Sequence, residues 1–131
     1  MPEAPPISQK KATILVVDDD FLTRANAADM VRELGFNVIE AVDADQAISL
    51  LEGTADISVV FTDIQMPGSI DGLRFVAVVR DRWPPLALLI TSGRMSPRAE
   101  DLPSGARFLA KPYFPNQLKA QLDILAGVND V

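Results

Sequence analysis

The chain contains no cysteine and no histidine. The first absence removes disulfides and thiol nucleophiles. Together the two remove thiolate or imidazole metal clusters, Ser-His-Asp triads and any role as a phosphohistidine carrier. Carboxylates, hydroxyls and amines are what remains for chemistry. Positive charge is also scarce: 12 basic against 18 acidic residues leave a net charge of -6. A nucleic-acid backbone is on average repelled by such a surface, so no nucleic-acid partner is expected. No apolar stretch approaches the length of a membrane span, and the opening MPEAPPISQKK lacks a signal-peptide core. The expectation is a soluble, cytoplasmic protein with no membrane partner.

What is present is one domain's worth of core. With 131 residues, 48% of them hydrophobic, the chain accommodates a single globular unit. Residues 1–11, with Pro2, Pro5, Pro6 and the pair Lys10-Lys11, offer nothing to bury and read as a flexible tail. The domain is expected over 12–127, with 128–131 a flexible end.

Within it, short apolar runs alternate with helical patterns. TILVV (13–17), FNVIEA (36–41), ISVVF (57–61), LALLI (86–90) and ARFLA (106–110) read as strands. TILVV, ISVVF and LALLI are continuously apolar, as expected of parallel strands covered on both faces. Between them Ala27, Met30, Val31 and Leu34, and then Ala44, Ala47, Ile48 and Leu51, follow the spacing of amphipathic helices, which Gly35 and Gly53 would close. A third helix is expected from Gly72 to Trp83, before Pro84-Pro85, and a last one after Pro115, marked by Leu118, Leu122 and Leu125. The segment 94–105 holds Pro97 and Pro103 and leaves room for only a short or irregular fourth helix, with Ser96 as N-cap and Pro97 at its first position. Strict β-α alternation implies an α/β fold, a parallel sheet with helices on both faces, whose ligands gather at the carboxyl ends of the strands.

Those ends carry the reactive side chains. Asp18, Asp19 and Asp20 follow the first strand and Asp63 the third; Thr91-Ser92-Gly93 follows the fourth and Lys111-Pro112 the fifth. Clustered carboxylates repel one another unless a cation joins them, and an all-oxygen donor set favours Mg²⁺, or Mn²⁺, over zinc. Acids, a hydroxyl, an amine and a metal together suit a phosphoryl group. Taken singly each residue has a plainer reading: Asp20 a helix N-cap, Thr91 or Ser92 a loop hydroxyl, Lys111 a solvated amine, Pro112 a turn former. Their joint order carries the case.

In that order VVDD, TDIQMPGSIDG, TSG and KPY resemble the signature of the response regulator receiver family, over residues 13–126. The resemblance implies a flavodoxin-like sheet of order 2-1-3-4-5. It implies Asp63 as phosphoacceptor, and Asp18, Asp19, Asp63 and the backbone carbonyl of Gln65 as Mg²⁺ ligands. Lys111 would bind the phosphate and Ser92 would be the switch hydroxyl, chosen over Thr91 because Gly93 leaves space beside it. Phe108 would be either the aromatic that rotates inward on switching or an ordinary core residue. The implied function is two-component signal transduction: a phosphoryl group passes from a phosphohistidine to Asp63 and the domain switches its surface. The chain would thus catalyse its own modification without turning over an external substrate.

The implied partners are a histidine kinase or histidine phosphotransferase and a downstream protein, with a homodimer left open. Two departures stand out: the loop GSIDG is one residue longer than usual, and the span from Ser92 to Phe108 is shorter. Gln65 and Arg94 sit where the family tunes water access, and so phosphate lifetime. Two other classes compete. A Mg²⁺-dependent phosphatase with an aspartate nucleophile shares the DxD of Asp18–Asp20, but needs a later acidic pair where only Asp123 and Asp130 follow Lys111. An unphosphorylated interaction module would not need the full acid, hydroxyl and lysine set.

Overall fold

The computed structural model describes residues 12–54, 56–64, 72–93, 100 and 102–127. In chain order the elements are β1 (Thr13–Val17), α1 (Phe21–Glu33), β2 (Asn37–Ala41), α2 (Ala44–Gly53), β3 (Ile57–Asp63), α3 (Gly72–Arg82), β4 (Ala87–Ser92), β5 (Arg107–Ala110) and α4 (Pro115–Ala126). The strands form one parallel sheet in the order β2-β1-β3-β4-β5. This is the flavodoxin-like arrangement that the motifs implied.

Side-chain alternation explains why the central strands are apolar throughout. Leu15, Val17, Val60, Leu88 and Ile90 face α2 and α3, whose Ala47, Leu51, Phe75 and Val79 complete one core layer. Ile14, Val16, Val59, Phe61 and Leu89 face α1 and α4, where Val31, Leu118 and Leu122 complete the other. A strand buried on both faces has no solvent-facing position to fill with a polar residue.

Several boundaries differ from the sequence expectation. β3 extends to Asp63 and β4 to Ser92, beyond their apolar runs, because Thr62, Asp63, Thr91 and Ser92 keep their places in the ladders. β4 begins one residue late, since the Leu86 amide closes a turn onto the Trp83 carbonyl at 2.9 Å. β2 begins at Asn37 because the Phe36 amide still bonds back to the Val31 carbonyl of α1. Gly35 ends α1 as expected, with φ 102° just past the cap at Leu34. Gly53 does not cap α2; it is the last helical residue, and extended Thr54 follows it. α3 stops at Arg82, one residue before Trp83, and α4 starts with Pro115 at its first position.

Between β4 and β5 no α-helix occurs among the described residues, and Ser96 and Pro97 lie outside them. The whole connection spans only residues 93–106, so Leu102 and Ala106 reach the α2–α3 core layer directly from a loop, beside Phe108. No helix is long and apolar enough to cross a membrane among the described residues.

Candidate functional site

The carboxyl ends of β1, β3, β4 and β5 meet as their parallel register requires. Asp63 pairs with Thr91 across β3 and β4, and Ser92 with Ala110 across β4 and β5. Two further backbone bonds tie the ends together: the Ile64 amide to the Thr91 carbonyl at 3.2 Å, and the Lys111 amide to the Ser92 carbonyl at 3.1 Å. Lys111 is thereby delivered to the acids. Its Nζ donates to Asp63 Oδ2 at 2.6 Å and lies 3.7 Å from Asp18 Oδ2. Both carboxylates are largely withdrawn from water, Asp18 at 5% and Asp63 at 7% exposure.

The loop after β1 is held from several sides. The Asp18 amide bonds to the Ala41 carbonyl of β2 at 3.2 Å, and its Oδ1 accepts from the Asp20 amide at 2.9 Å. Asp20 is the N-cap of α1, accepting from both the amide and the hydroxyl of Thr23 at 2.8 and 2.7 Å, which is the plain reading of that residue. Those bonds hold the exposed Asp20 carboxyl below the usual range. Asp18 behaves oppositely. Burial pushes its pKa up and the charges of Asp63 and Asp19 add to this, against the Asp20 amide and the Lys111 ammonium, which pull it down.

A raised carboxyl next to a second buried carboxyl is a donor set short of positive charge. Its oxygen-only chemistry fits a hard divalent cation such as Mg²⁺. Among the described residues, however, no three acidic side chains already form a metal cage. Asp18 and Asp63 converge on one point, Asp19 stands exposed beside them, and Gln65 lies outside the described residues, as does Arg94.

The two candidate hydroxyls are separated by strand alternation. Thr91 lies on the same side as Asp63 and lines one small cavity with Asp18, Asp63, Lys111 and Tyr113. Its Oγ1 is committed to the Leu109 carbonyl at 2.6 Å. Ser92, 2% exposed, points to the opposite face, the one that also carries half-buried Phe108 against the α2–α3 layer.

Three contributors escaped sequence reasoning. Tyr113, two residues past Lys111, packs its ring 5.9 Å from Phe61; burial, with the Asp18 and Asp63 charges, pushes its hydroxyl up to about 12. Its place in KPY was the available signal. Gly72 opens α3 where a Cβ would lie 2.1 Å from the Ile64 carbonyl oxygen, so that only glycine lets α3 approach the end of β3. The glycine of GSIDG was visible, but not its neighbour. Arg24, whose Nη1 donates to the Asp18 carbonyl at 3.1 Å, had no signal at all, because its anchor Glu40 is 16 residues away.

Comparison with known proteins agrees with this geometry. The profile of the response regulator receiver domain matches residues 14–123. The chemotaxis protein CheY1 of Helicobacter pylori is 32% identical over 123 residues, covering 89% of this chain and 98% of its own. The hydrogenase transcriptional regulatory protein HoxA of Cupriavidus necator is 33% identical over 118 residues, covering 86% of this chain; the chain spans only 23% of that regulator. Among solved structures, a receiver domain protein from Clostridium thermocellum superposes with a TM-score of 0.81 at 24% identity, covering 89% of this chain and 95% of that one, a likeness of fold.

Proposed function

The chain belongs to the response regulator receiver domain family, and from that premise we propose that it accepts a phosphoryl group on Asp63 and signals by switching the surface around β4 and β5. One observation carries the reading: the Lys111 ammonium lies 2.6 Å from Asp63 and 3.7 Å from Asp18 in a pocket where both acids are buried. An amine held against the acceptor is placed to bind the oxygens of an incoming phosphoryl group.

The donor is the phosphohistidine of a histidine kinase or histidine phosphotransferase, or a small acyl phosphate. An Asp63 carboxylate oxygen bonds to phosphorus as the bond from phosphorus to the donor nitrogen breaks. The electron pair leaves with the imidazole, which then takes a proton from solvent. The product is an acyl phosphate on Asp63 and a neutral histidine on the donor. Lys111 releases Asp63 to bond and donates to the phosphoryl oxygens. Asp18, Asp19, Asp63 and the Gln65 carbonyl are the residues that would hold Mg²⁺. When bound, the ion supplies positive charge to neutralise the phosphoryl oxygens.

Ser92 is the switch hydroxyl in this reading, because Gly93 leaves space beside it and because Ser92 shares its face of the sheet with Phe108. Ser92 moving toward the new oxygens would vacate space beside that ring, a population shift that a downstream protein can sense.

The test is intact mass after incubation with acetyl phosphate, with and without Mg²⁺, on the native chain and Asp63→Asn. A single Mg²⁺-dependent adduct that the variant lacks is the expected result. An unmodified native chain, or an adduct that persists in the variant, would refute the assignment.

A further inference from the structure

Among the described residues, Arg24 is a strongly engaged cation next to the acid pair that the chemistry above does not use. It lies one helical turn into α1, and its side chain is only 11% exposed. Nη1 donates to the main-chain carbonyl of Asp18 at 3.1 Å, while Nε donates to Glu40 Oε1 on the edge strand β2 at 3.1 Å. The other Glu40 oxygen pairs with Arg32 at 3.3 Å, and the Phe21 ring lies 5.5 Å from the Arg24 guanidinium carbon. The guanidinium is therefore gripped by a carboxylate, an aromatic face and a carbonyl at once.

The carbonyl it holds belongs to the peptide unit joining Asp18 to Asp19. A peptide is planar, so fixing that oxygen fixes the plane from which Asp19 projects. The other restraints on the loop act on either side of it: the Ala41 carbonyl holds the Asp18 amide, and the Asp18 carboxylate holds the Asp20 amide. The Arg24 contact is the cross-element bond that acts on the linking peptide itself.

On electrostatics alone this arginine is an odd neighbour. A positive charge beside a cation site disfavours the cation, and Glu40 offsets only part of it. Its presence is explained if the geometry it imposes outweighs the repulsion.

We propose that Arg24 is a positioning residue for the divalent cation: by fixing the peptide between Asp18 and Asp19, with Glu40 orienting its fork, it preorganises the acid pair for binding. The inference rests on the reading of this site as an Mg²⁺-dependent acceptor. It makes a prediction of sign. Were Arg24 only a nearby charge, removing it would tighten cation binding; as a positioning group, its removal weakens binding. Lysine separates the two effects further, since it keeps the charge but cannot reach the carbonyl and Glu40 together through a rigid fork.

The experiment measures Mn²⁺ binding to the full chain without any phosphodonor, from loss of the free-ion electron paramagnetic resonance signal, for the native protein, Arg24→Lys and Arg24→Gln. Thermal unfolding in chelator reports whether each variant folds. Half-saturating Mg²⁺ and the maximal rate of labelling by acetyl phosphate are then measured separately. The expected result is binding weaker by about 10-fold in both variants, as when a group that orients a metal ligand is lost, with the labelling rate at saturating Mg²⁺ within about 3-fold of native. Unchanged or tighter binding in folded Arg24→Lys would overturn the inference while leaving the acceptor reading intact, as would a lowered maximal rate at unchanged half-saturation. Should Arg24→Gln fail to fold, Arg24→Lys alone decides. A native chain that binds no Mn²⁺ would bring down the metal reading itself, and this inference with it.

Discussion

At the carboxyl end of the sheet lie all the buried polar residues among those described, Asp18, Thr62, Asp63, Thr91 and Ser92. At the amino end the apolar side chains of Leu51, Ile57, Trp83 and Leu86 surround a groove of about 400 Å³, with an Arg82–Glu52 ion pair at 2.8 Å on the surface beside it. The same strands serve both poles, yet one pole is cohesive and the other is electrostatically tense. Burying a charge or hydroxyl is unfavourable unless partners are supplied. In this chain those partners come from long-range elements, Lys111 for the acids and the Leu109 carbonyl for Thr91. The contrast separates the pole to which the proposed chemistry is assigned from the one where stability should be alterable without touching it.

The largest expected effect lies at the polar end. Lys111→Met removes the ammonium from Asp63 and should slow labelling by acetyl phosphate about 100-fold, as for loss of one transition-state donor, measured by intact mass against time. A rate within a few-fold of native would end the idea that this pole is organised around the amine. At the apolar side, Leu88→Ala in the fully buried core should cost about 2–5 kcal/mol in urea denaturation while labelling of the folded fraction continues at the native rate. A coupled loss of labelling would mean that the poles are not separable.

Thr91→Val keeps the volume but removes the hydroxyl bond to the Leu109 carbonyl. A loss of about 1–3 kcal/mol is expected, with phosphorylation-induced spectral change retained. Ser92→Ala should abolish that spectral change, and the reverse pattern would exchange the two hydroxyls.

The smallest effect is a titration. Tyr113 is the single tyrosine, so absorbance at 295 nm follows one group. It should ionise near 12 instead of near 10, and Asp63→Asn should move the midpoint down by removing one of the charges that raise it. The folded chain keeps a proton that the unfolded chain releases, so this group's share of stability falls as pH rises from about 10 to about 12. A midpoint near 10 in the folded chain would place the ring outside the influence of the acids.

The two poles were not equally legible in the sequence. The apolar runs of β1, β3 and β4 announced a doubly covered parallel sheet because a strand buried on both faces has one composition only. The convergence of Asp18, Asp63 and Lys111 was legible because strand ends are marked by the change from apolar to polar residues, whereas the face on which Ser92 lies was not. Strand extent was less so: Thr62, Asp63, Thr91 and Ser92 are polar, and only the ladders show that they continue β3 and β4. The partnerships were least visible of all. Nothing local links Arg24 to Glu40, Gly72 to Ile64 or Thr91 to Leu109, since these pairs arise when separate elements pack. The motif order supplied the family's sheet order, which hydrophobic pattern alone leaves open.

The contact between Lys111 and Asp63 joins residues 48 positions apart, and it has a bearing on how the molecule is made. On a ribosome the acids of β1 and β3 emerge well before the amine that follows β5. A nascent or clipped polypeptide ending before residue 107 carries Asp63 and Asp18 without the ammonium that pairs with them. The sheet closes that gap only when its last edge strand docks, so completion of the domain and completion of the pocket are one event.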